Sequence, residues 1–254
     1  MIGAVLFDLD GVIVDSRALV AAALSDVATN VLGRRPDHRA VAELIHLPPV
    51  QALGILGLTD PVGAFDDGFD LAYAAHAANA ALVPGIVRAM RRLRMNGMRQ
   101  AVVTLQRRHR IALLGLGVVT TLMDTFVTFE DAKPKPAPDP VLAALFRLNV
   151  PPHEAWFVGD TVTDIVAGHA AGVRVAGAAW GYSSAEVLEQ AGADVVLTDP
   201  AQIEAVALEQ AIVTVGYAGS ASGSAAPPGT ASVSSGAIGN RDRTTRDGHG
   251  GAAS

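Results

Sequence analysis

The sequence predicts an α/β fold: a parallel sheet with helices on both faces and a small all-helical segment inserted after the first strand. Three observations predict it. From about residue 84 onward, short apolar runs alternate with helical patterns of roughly 10–15 residues, the mark of βαβ units and a parallel sheet. A first apolar run at the N-terminus is cut off from the others by a stretch that reads as helical throughout. Acidic or hydroxyl residues close several of the runs, at the strand ends where α/β proteins gather their ligands.

Each element follows in order. Residues 2–8 are a mostly apolar run ending in Asp8, as expected of a strand buried on both faces. Leu19, Ala23, Val27 and Val31 share one face of a helix over 18–32, stopped by Gly33. Helical patterns continue to residue 82, broken at Pro36, Pro48-Pro49 and Pro61, with no convincing strand. Pro84 then precedes a helix over 85–96, closed by Asn96-Gly97. There follow a strand at 100–104, a helix at about 107–115, a strand near 125–129, a helix at 139–148 and a strand at 155–159. A helix at 163–171 ends at Gly172, before a strand at 173–178, a further helix, a short strand at 194–197 and a helix beginning near Pro200. The expected organisation is a core of residues 1–16 and 83–213, a helical cap of 17–82, and a tail of 214–254. The tail, dominated by Gly, Ser, Ala and Thr, buries too little apolar surface to offset the entropy of ordering, and is expected to be disordered.

Composition narrows the function classes. A mean hydropathy of +0.33 raises a membrane protein as a possibility, but charges interrupt every apolar run before the roughly 18 residues a spanning helix needs. The N-terminal MIGAVLFDLD has no basic region and ends in acids, so it reads as a strand and not as a signal peptide. A cytoplasmic enzyme without membrane or nucleic-acid partner is expected, since a net charge of −6 lacks the basic surplus of a nucleic-acid binder. The basic clusters at 91–94 (RRLR) and 107–110 (RRHR) read as exposed helix faces. With no cysteine, thiolate metal sites are excluded. Lys133 and Lys135 are the only lysines in a chain otherwise using arginine; a need for lysine chemistry there is one explanation and chance is the other.

Four features carry chemistry. Asp8 and Asp10, two apart at a strand end, leave the sheet on the same side, and Gly11 lets the backbone turn away. Asp160 and Asp164 follow the strand at 155–159, with Thr161 or Thr163 available to cap the next helix. Lys135 lies in a loop stiffened by Pro136 and Pro138, and Thr104 ends the strand AVVT. If the strands are parallel, all of these meet at one edge. Four gathered carboxylates would raise one another's pKa values. A hard divalent cation resolves that conflict, and oxygen ligands without clustered histidine favour Mg²⁺. Lys135 adds positive charge in a compact form suited to phosphate and carboxylate alike.

Taken in order, DLDGVIVDS (8–16), Thr104, KPAPDP (135–140) and GDTVTD (159–164) resemble the four motifs of the haloacid dehalogenase superfamily, over roughly residues 1–212. The spacing of about 65 residues between the first motif and Pro84 is similar to that of members with a small helical cap, and the phrases AGHAAGVRVAGAAWGY and ADVVLTDPAQI look like those of phosphoglycolate-phosphatase-like enzymes. The resemblance implies a Rossmann-like core and a Mg²⁺-dependent phosphatase acting on a small phosphomonoester. It implies that Asp8 is the nucleophile forming an aspartyl-phosphate, and Asp10 the acid and base whose backbone carbonyl also ligates the metal. Asp8 and Asp160 would hold Mg²⁺, Asp164 would support the metal shell or Lys135, and Thr104 and Lys135 would hold the phosphoryl group. Two departures from the family's pattern mark substrate candidates. Leu105 and Gln106 follow Thr104 where a small polar residue or glycine is usual, and His46 stands where relatives carry glycine before Leu-Pro. The neighbouring Arg107, Arg108 and His109 are within reach of a charged substrate but read as solvated.

Three alternatives are open. A dehalogenase of the superfamily needs neither Asp10 as acid nor a metal, so Asp10, Asp160 and Asp164 argue against it. A phosphosugar mutase needs a cap that grips a second phosphate; no arginine or lysine lies between His46 and Leu82, and Arg34, Arg35 and Arg39 keep that alternative open. A non-catalytic module retaining the fold would be expected to have lost Asp8, Asp10 or Lys135. The natural substrate and the oligomeric state are not legible.

Overall fold

In a computed structural model the described residues are 2–208. The first strand, β1 (Ala4–Phe7), is wholly buried. It leads into a two-residue strand β2 (Val14–Asp15) and then the helices α1 (Arg17–Leu32), α2 (His38–Ala42), α3 (Pro49–Ile55) and α4 (Pro61–His76). A second two-residue strand, β3 (Ala81–Leu82), pairs antiparallel with β2 and closes the helical segment. The alternating part follows as α5 (Ile86–Met95), β4 (Arg99–Val103), α6 (Arg108–Leu113), α7 (Gly117–Leu122) and β5 (Thr125–Val127). It continues with α8 (Asp139–Leu148), β6 (Ala155–Gly159), α9 (Val162–Ala170), β7 (Arg174–Ala178), α10 (Ala185–Gln190), β8 (Val195–Leu197) and α11 (Gln202–Ala207).

The main sheet has six strands in the order β5-β4-β1-β6-β7-β8, and every pairing within it is parallel. Its two faces are readable in β1 itself. Val5 and Phe7 enter one apolar cluster together with Ile86 and Met90 of α5, Val119 of α7 and Ile203 of α11. Ala4 and Leu6 enter the other, with Val141 and Leu145 of α8, Ile165 of α9 and Leu188 of α10. Period-two alternation inside an unbroken apolar run thus divides one strand between two cores. The chain leaves β1 towards β4 and β5 on one side and returns to build β6, β7 and β8 on the other. β1 is therefore the switch point, beside which α/β sheets bind their ligands.

Three expectations need correction. The ribbon of β2 and β3 lies where no strand was expected, because two-residue strands are too short to show a period. The expected helix over 107–115 covers only Arg108–Leu113, and a separate helix, Gly117–Leu122, follows it. Gly115, in the left-handed region at φ 62°, ends one helix and permits the next. The strand expected to run to residue 129 stops at Val127. The expected tail lies outside the described residues. Among the described residues no helix is long and apolar enough to cross a membrane.

Candidate active site

The site grows from the carboxyl ends of neighbouring strands. Register aligns Phe7 of β1 with Val102 of β4 and Val158 of β6, so the residues just beyond them emerge side by side. The Asp8 amide donates to the Val158 carbonyl at 2.9 Å, and the Thr104 amide to the Val127 carbonyl at 2.9 Å, which extends the ladder to the first functional residue. Asp8, Thr104, Lys135, Asp160 and Asp164 are all buried.

Lys135, from the loop before α8, reaches across the strand ends. Its Nζ donates to Asp8 Oδ1 at 2.8 Å, to Asp164 Oδ1 at 2.6 Å and to the Val103 carbonyl at 3.2 Å. All three ammonium protons are used. Burial alone would push this ammonium towards neutrality, but the charges of Asp164 and then Asp8 outweigh it and hold its pKa above the usual lysine value. Lys133, the other lysine of the chain, is exposed.

Asp164 is locked by its own helix. Thr161 caps α9, and the pair forms a capping box. Asp164 Oδ2 accepts from the Asp160 amide at 3.2 Å, the Thr161 amide at 3.0 Å and the Thr161 hydroxyl at 2.6 Å. Both Asp164 oxygens are therefore engaged, which suits it to hold Lys135 more than to ligate a cation directly.

Asp160 is fully buried, and its pKa stands well above the ordinary carboxylate value because of burial, then Asp8 and Asp164. Its Oδ2 accepts from the Tyr182 amide at 2.7 Å, whereas Oδ1 is buried with no hydrogen-bond partner. A Cβ on Gly11, whose φ is 82°, would fall 1.9 Å from Asp160 Oδ2, and one on Gly181 would fall 2.2 Å from it. Gly11 thus serves close approach as well as the turn. Asp8 is raised to about 7, chiefly by burial, with Lys135 opposing. Asp10 is also raised by burial, with Ser16 and Gln106 opposing, and its Oδ1 is another buried oxygen without a partner.

Ser16 and Tyr182 belong to the site although no role was expected of either. Ser16 is fully buried, its Oγ 2.9 Å from the Tyr182 hydroxyl, and Tyr182 in turn holds Asp160 through its amide. Tyr182 lies in the loop after β7, at the same edge of the sheet as the other strand-end residues of the site, and that position is its signal in the sequence.

The residues after β4 divide. The Thr104 hydroxyl accepts from the Gln106 amide at 3.0 Å, and the Gln106 side chain donates to the Tyr73 hydroxyl at 3.4 Å, so Gln106 faces inward. Leu105 is 43% exposed. His46 is exposed in the turn between α2 and α3 and makes no hydrogen bond among the described residues; nothing there brings it to the carboxylates. The RRHR cluster is not a uniformly solvated face. Arg107 lies over Phe129 and Arg108 pairs with Asp131, but Arg110 is buried, which corrects the expectation for that position.

The donor set fits a hard cation. One carboxylate oxygen from each of Asp8, Asp160 and Asp164 lies within 4.8 Å of the others. Asp160 Oδ1 is orphaned, and Asp8 Oδ2 makes no hydrogen bond among the described residues. Buried like charges with unused oxygens are what a divalent ion such as Mg²⁺ stabilises. Asp10 contributes no side-chain oxygen to this group.

Comparison with known proteins places the chain in a family. The chain is similar to pyrophosphatase PpaX of Bacillus velezensis, 29% identical over 198 residues that cover 76% of this chain and 91% of the relative. It is 33% identical to the phosphoglycolate phosphatase of Rhodospirillum rubrum over 218 residues, 79% of this chain and 88% of that one. A solved structure of a HAD family hydrolase from Deinococcus radiodurans, with bound phosphate and sodium, superposes with a TM-score of 0.67 at 27% identity, covering 82% of this chain and 96% of that one. The family model for haloacid dehalogenase-like hydrolases matches residues 5–178. That span holds Asp8, Thr104, Lys135, Asp160 and Asp164 together with the strands that aim them, and the chain belongs to the haloacid dehalogenase-like hydrolases.

Proposed function

We propose that this protein is a Mg²⁺-dependent phosphatase that hydrolyses a small phosphomonoester through an aspartyl-phosphate on Asp8. The observation that carries the reading is Lys135: one buried ammonium bonded to Asp8 and Asp164, with Asp160 beside them at the same sheet edge. The relatives named as phosphatases and pyrophosphatases support it. Residues α1–α4 then serve as a cap over the strand ends.

Asp8 attacks phosphorus with a carboxylate oxygen, a new O–P bond forms, and the ester O–P bond breaks. Asp10, its pKa raised by burial, holds the proton that the departing oxygen needs. The resulting Asp10 carboxylate then takes a proton from water as the water oxygen attacks phosphorus, which frees inorganic phosphate and restores Asp8. Lys135 and Thr104 hold the transferring group, and Asp164 keeps Lys135 in place. A Mg²⁺ ion held by Asp8 and Asp160, when bound, supplies charge neutralisation between nucleophile and phosphate.

Phosphate release from p-nitrophenyl phosphate and from 2-phosphoglycolate, each with Mg²⁺ or EDTA, tests the reading. Activity that EDTA abolishes and that Asp8→Asn lowers by at least about 10³-fold is expected. Folded, Mg²⁺-loaded protein that is inert on a broad panel of esters would overturn it, as would an Asp8→Asn variant as active as the parent.

A further inference from the structure

Arg110 is an arginine in an unusual position. It comes from α6, directly after the loop bearing Thr104 and Gln106, yet its side chain is only 7% exposed. Three aromatic rings of α4 surround it, with its Cζ 5.2 Å from the centroid of Phe65, 4.9 Å from Phe69 and 5.7 Å from Tyr73. Nε donates to Asp70 Oδ1, and Asp70 Oδ2 lies 2.9 Å from His109 Nε2. The terminal guanidinium nitrogens have no hydrogen-bond partner among the described residues. A guanidinium has five N–H donors, and aromatic faces supply attraction but no acceptor oxygen. These nitrogens are not among the buried unpartnered atoms, so they keep some contact with solvent and stay open to an acceptor from outside.

Its neighbours place that acceptor. Tyr73, whose ring flanks Arg110, is fully buried and receives the Gln106 amide at its hydroxyl. Gln106 in turn donates its backbone amide to the Thr104 hydroxyl at 3.0 Å. Through Tyr73 and Gln106 the guanidinium is thus linked to the loop bearing Thr104, the residue that would hold the transferring group. The helical segment between His46 and Leu82 supplies no lysine or arginine of its own. α6 provides the cation that α3 and α4 lack.

We propose that Arg110 is the receptor for a second anionic group on the substrate, a carboxylate or a second phosphate a few bonds from the ester oxygen. This rests on the phosphatase reading and deepens it. Asp70 and the three rings hold the guanidinium in place, and its terminal nitrogens grip the anion in a forked contact that lysine cannot reproduce.

The test uses the full chain with Mg²⁺ and three substrates: 2-phosphoglycolate, pyrophosphate, and ethyl phosphate as the short ester without a second anion. Wild type prefers one of the first two, and which one tells carboxylate from phosphate. Arg110→Gln removes that preference, with a loss of roughly 10- to 100-fold on the preferred substrate through KM, the worth of hydrogen bonds to a charged group. Ethyl phosphate hydrolysis by the same variant stays within about threefold of wild type. Arg110→Lys restores only part of the preference. Asp70→Asn breaks the ion pair but leaves the cation, so stability falls while the preference remains. Equal losses on all three substrates in Arg110→Gln, or a preference lost in Asp70→Asn as fully as in Arg110→Gln, would show a structural clamp and overturn the proposal. So would a wild type with no preference. Calorimetric binding of the same three compounds to Asp8→Asn protein, with and without Arg110→Gln, decides the question even if no ester is hydrolysed. An inert wild type whose anion preference in binding still depends on Arg110 sinks the phosphatase reading alone.

Discussion

At the scale of single residues, the placement of charge explains why a lysine and not another arginine occupies position 135. The ammonium spends its three protons on Asp8, Asp164 and the Val103 carbonyl, in a pocket that leaves its side chain 2% exposed. A planar guanidinium would need more room and a different set of acceptors. Lys135→Met strands two buried carboxylates, and we expect denaturant unfolding in EDTA to show a loss of about 3–5 kcal/mol. Both Lys135→Met and Lys135→Arg should lower phosphate release by about 10²-fold or more. Lys133→Met should change neither quantity, since Lys133 is exposed; an equal effect at the two positions would contradict the assignment. The two lysines are equivalent in composition, and the proline-rich sequence after Lys135 distinguished them. His46 and Leu105, singled out because they depart from a pattern, are both exposed, which leaves a contact with substrate open at either. A departure marks difference without saying where the side chain points.

At the scale of elements, the junction between β6 and α9 does most to assemble the site. Gly159 ends the strand, and a Cβ there would fall 2.3 Å from the Asp164 Cβ, so backbone and helix first turn approach as only glycine permits. Gly159→Ala should shift Asp164 away from Lys135, cost about 1–3 kcal/mol by overpacking and reduce kcat more than KM. Thr161→Val removes the cap and should cost about 1 kcal/mol in thermal or denaturant unfolding. An unchanged melting temperature in both variants would show that the junction tolerates what the geometry forbids. The elements of this region were legible because the strand is an unbroken apolar run and the helix begins on a hydroxyl cap. The ribbon of β2 and β3 was not, having two residues a side. The burial of Arg110 is illegible in the sequence for a related reason. In a six-residue helix the buried face holds one or two positions, so the four residues RRHR show no period that would set one arginine apart.

At the scale of the whole molecule, the sheet delivers carboxylates from β1 and from the β6–α9 junction into one buried volume, and folding must bear their repulsion. Asp8 is held at about 7 against an ordinary value near 4, and Asp160 is raised as well. A carboxyl whose pKa is higher folded than unfolded stabilises the fold below its unfolded value, and that contribution is lost as pH rises through the folded one. Metal-free protein should therefore lose stability between about pH 4 and pH 7. A bound divalent cation favours the ionised forms, so the rise in melting temperature on replacing EDTA with Mg²⁺ should be larger at pH 8 than at pH 5. Thermal melts at both pH values check this. An increase at pH 5 equal to that at pH 8 would mean that the cation does not act through these carboxylates.

The sequence by itself determined the fold class, the order of the sheet's strands along the chain and the identities of Asp8, Asp10, Thr104, Lys135, Asp160 and Asp164 as candidates, because period, caps and turn residues are local properties. Tertiary structure decided what those residues do to one another. It assigned both oxygens of Asp164 to Lys135 and the α9 cap, and left buried oxygens of Asp10 and Asp160 without partners. It brought Tyr182 to Ser16 across 166 positions of sequence. It also buried Arg110 among the rings of α4. Such contacts depend on which surfaces meet when separate elements pack, and no local pattern in either partner encodes the other.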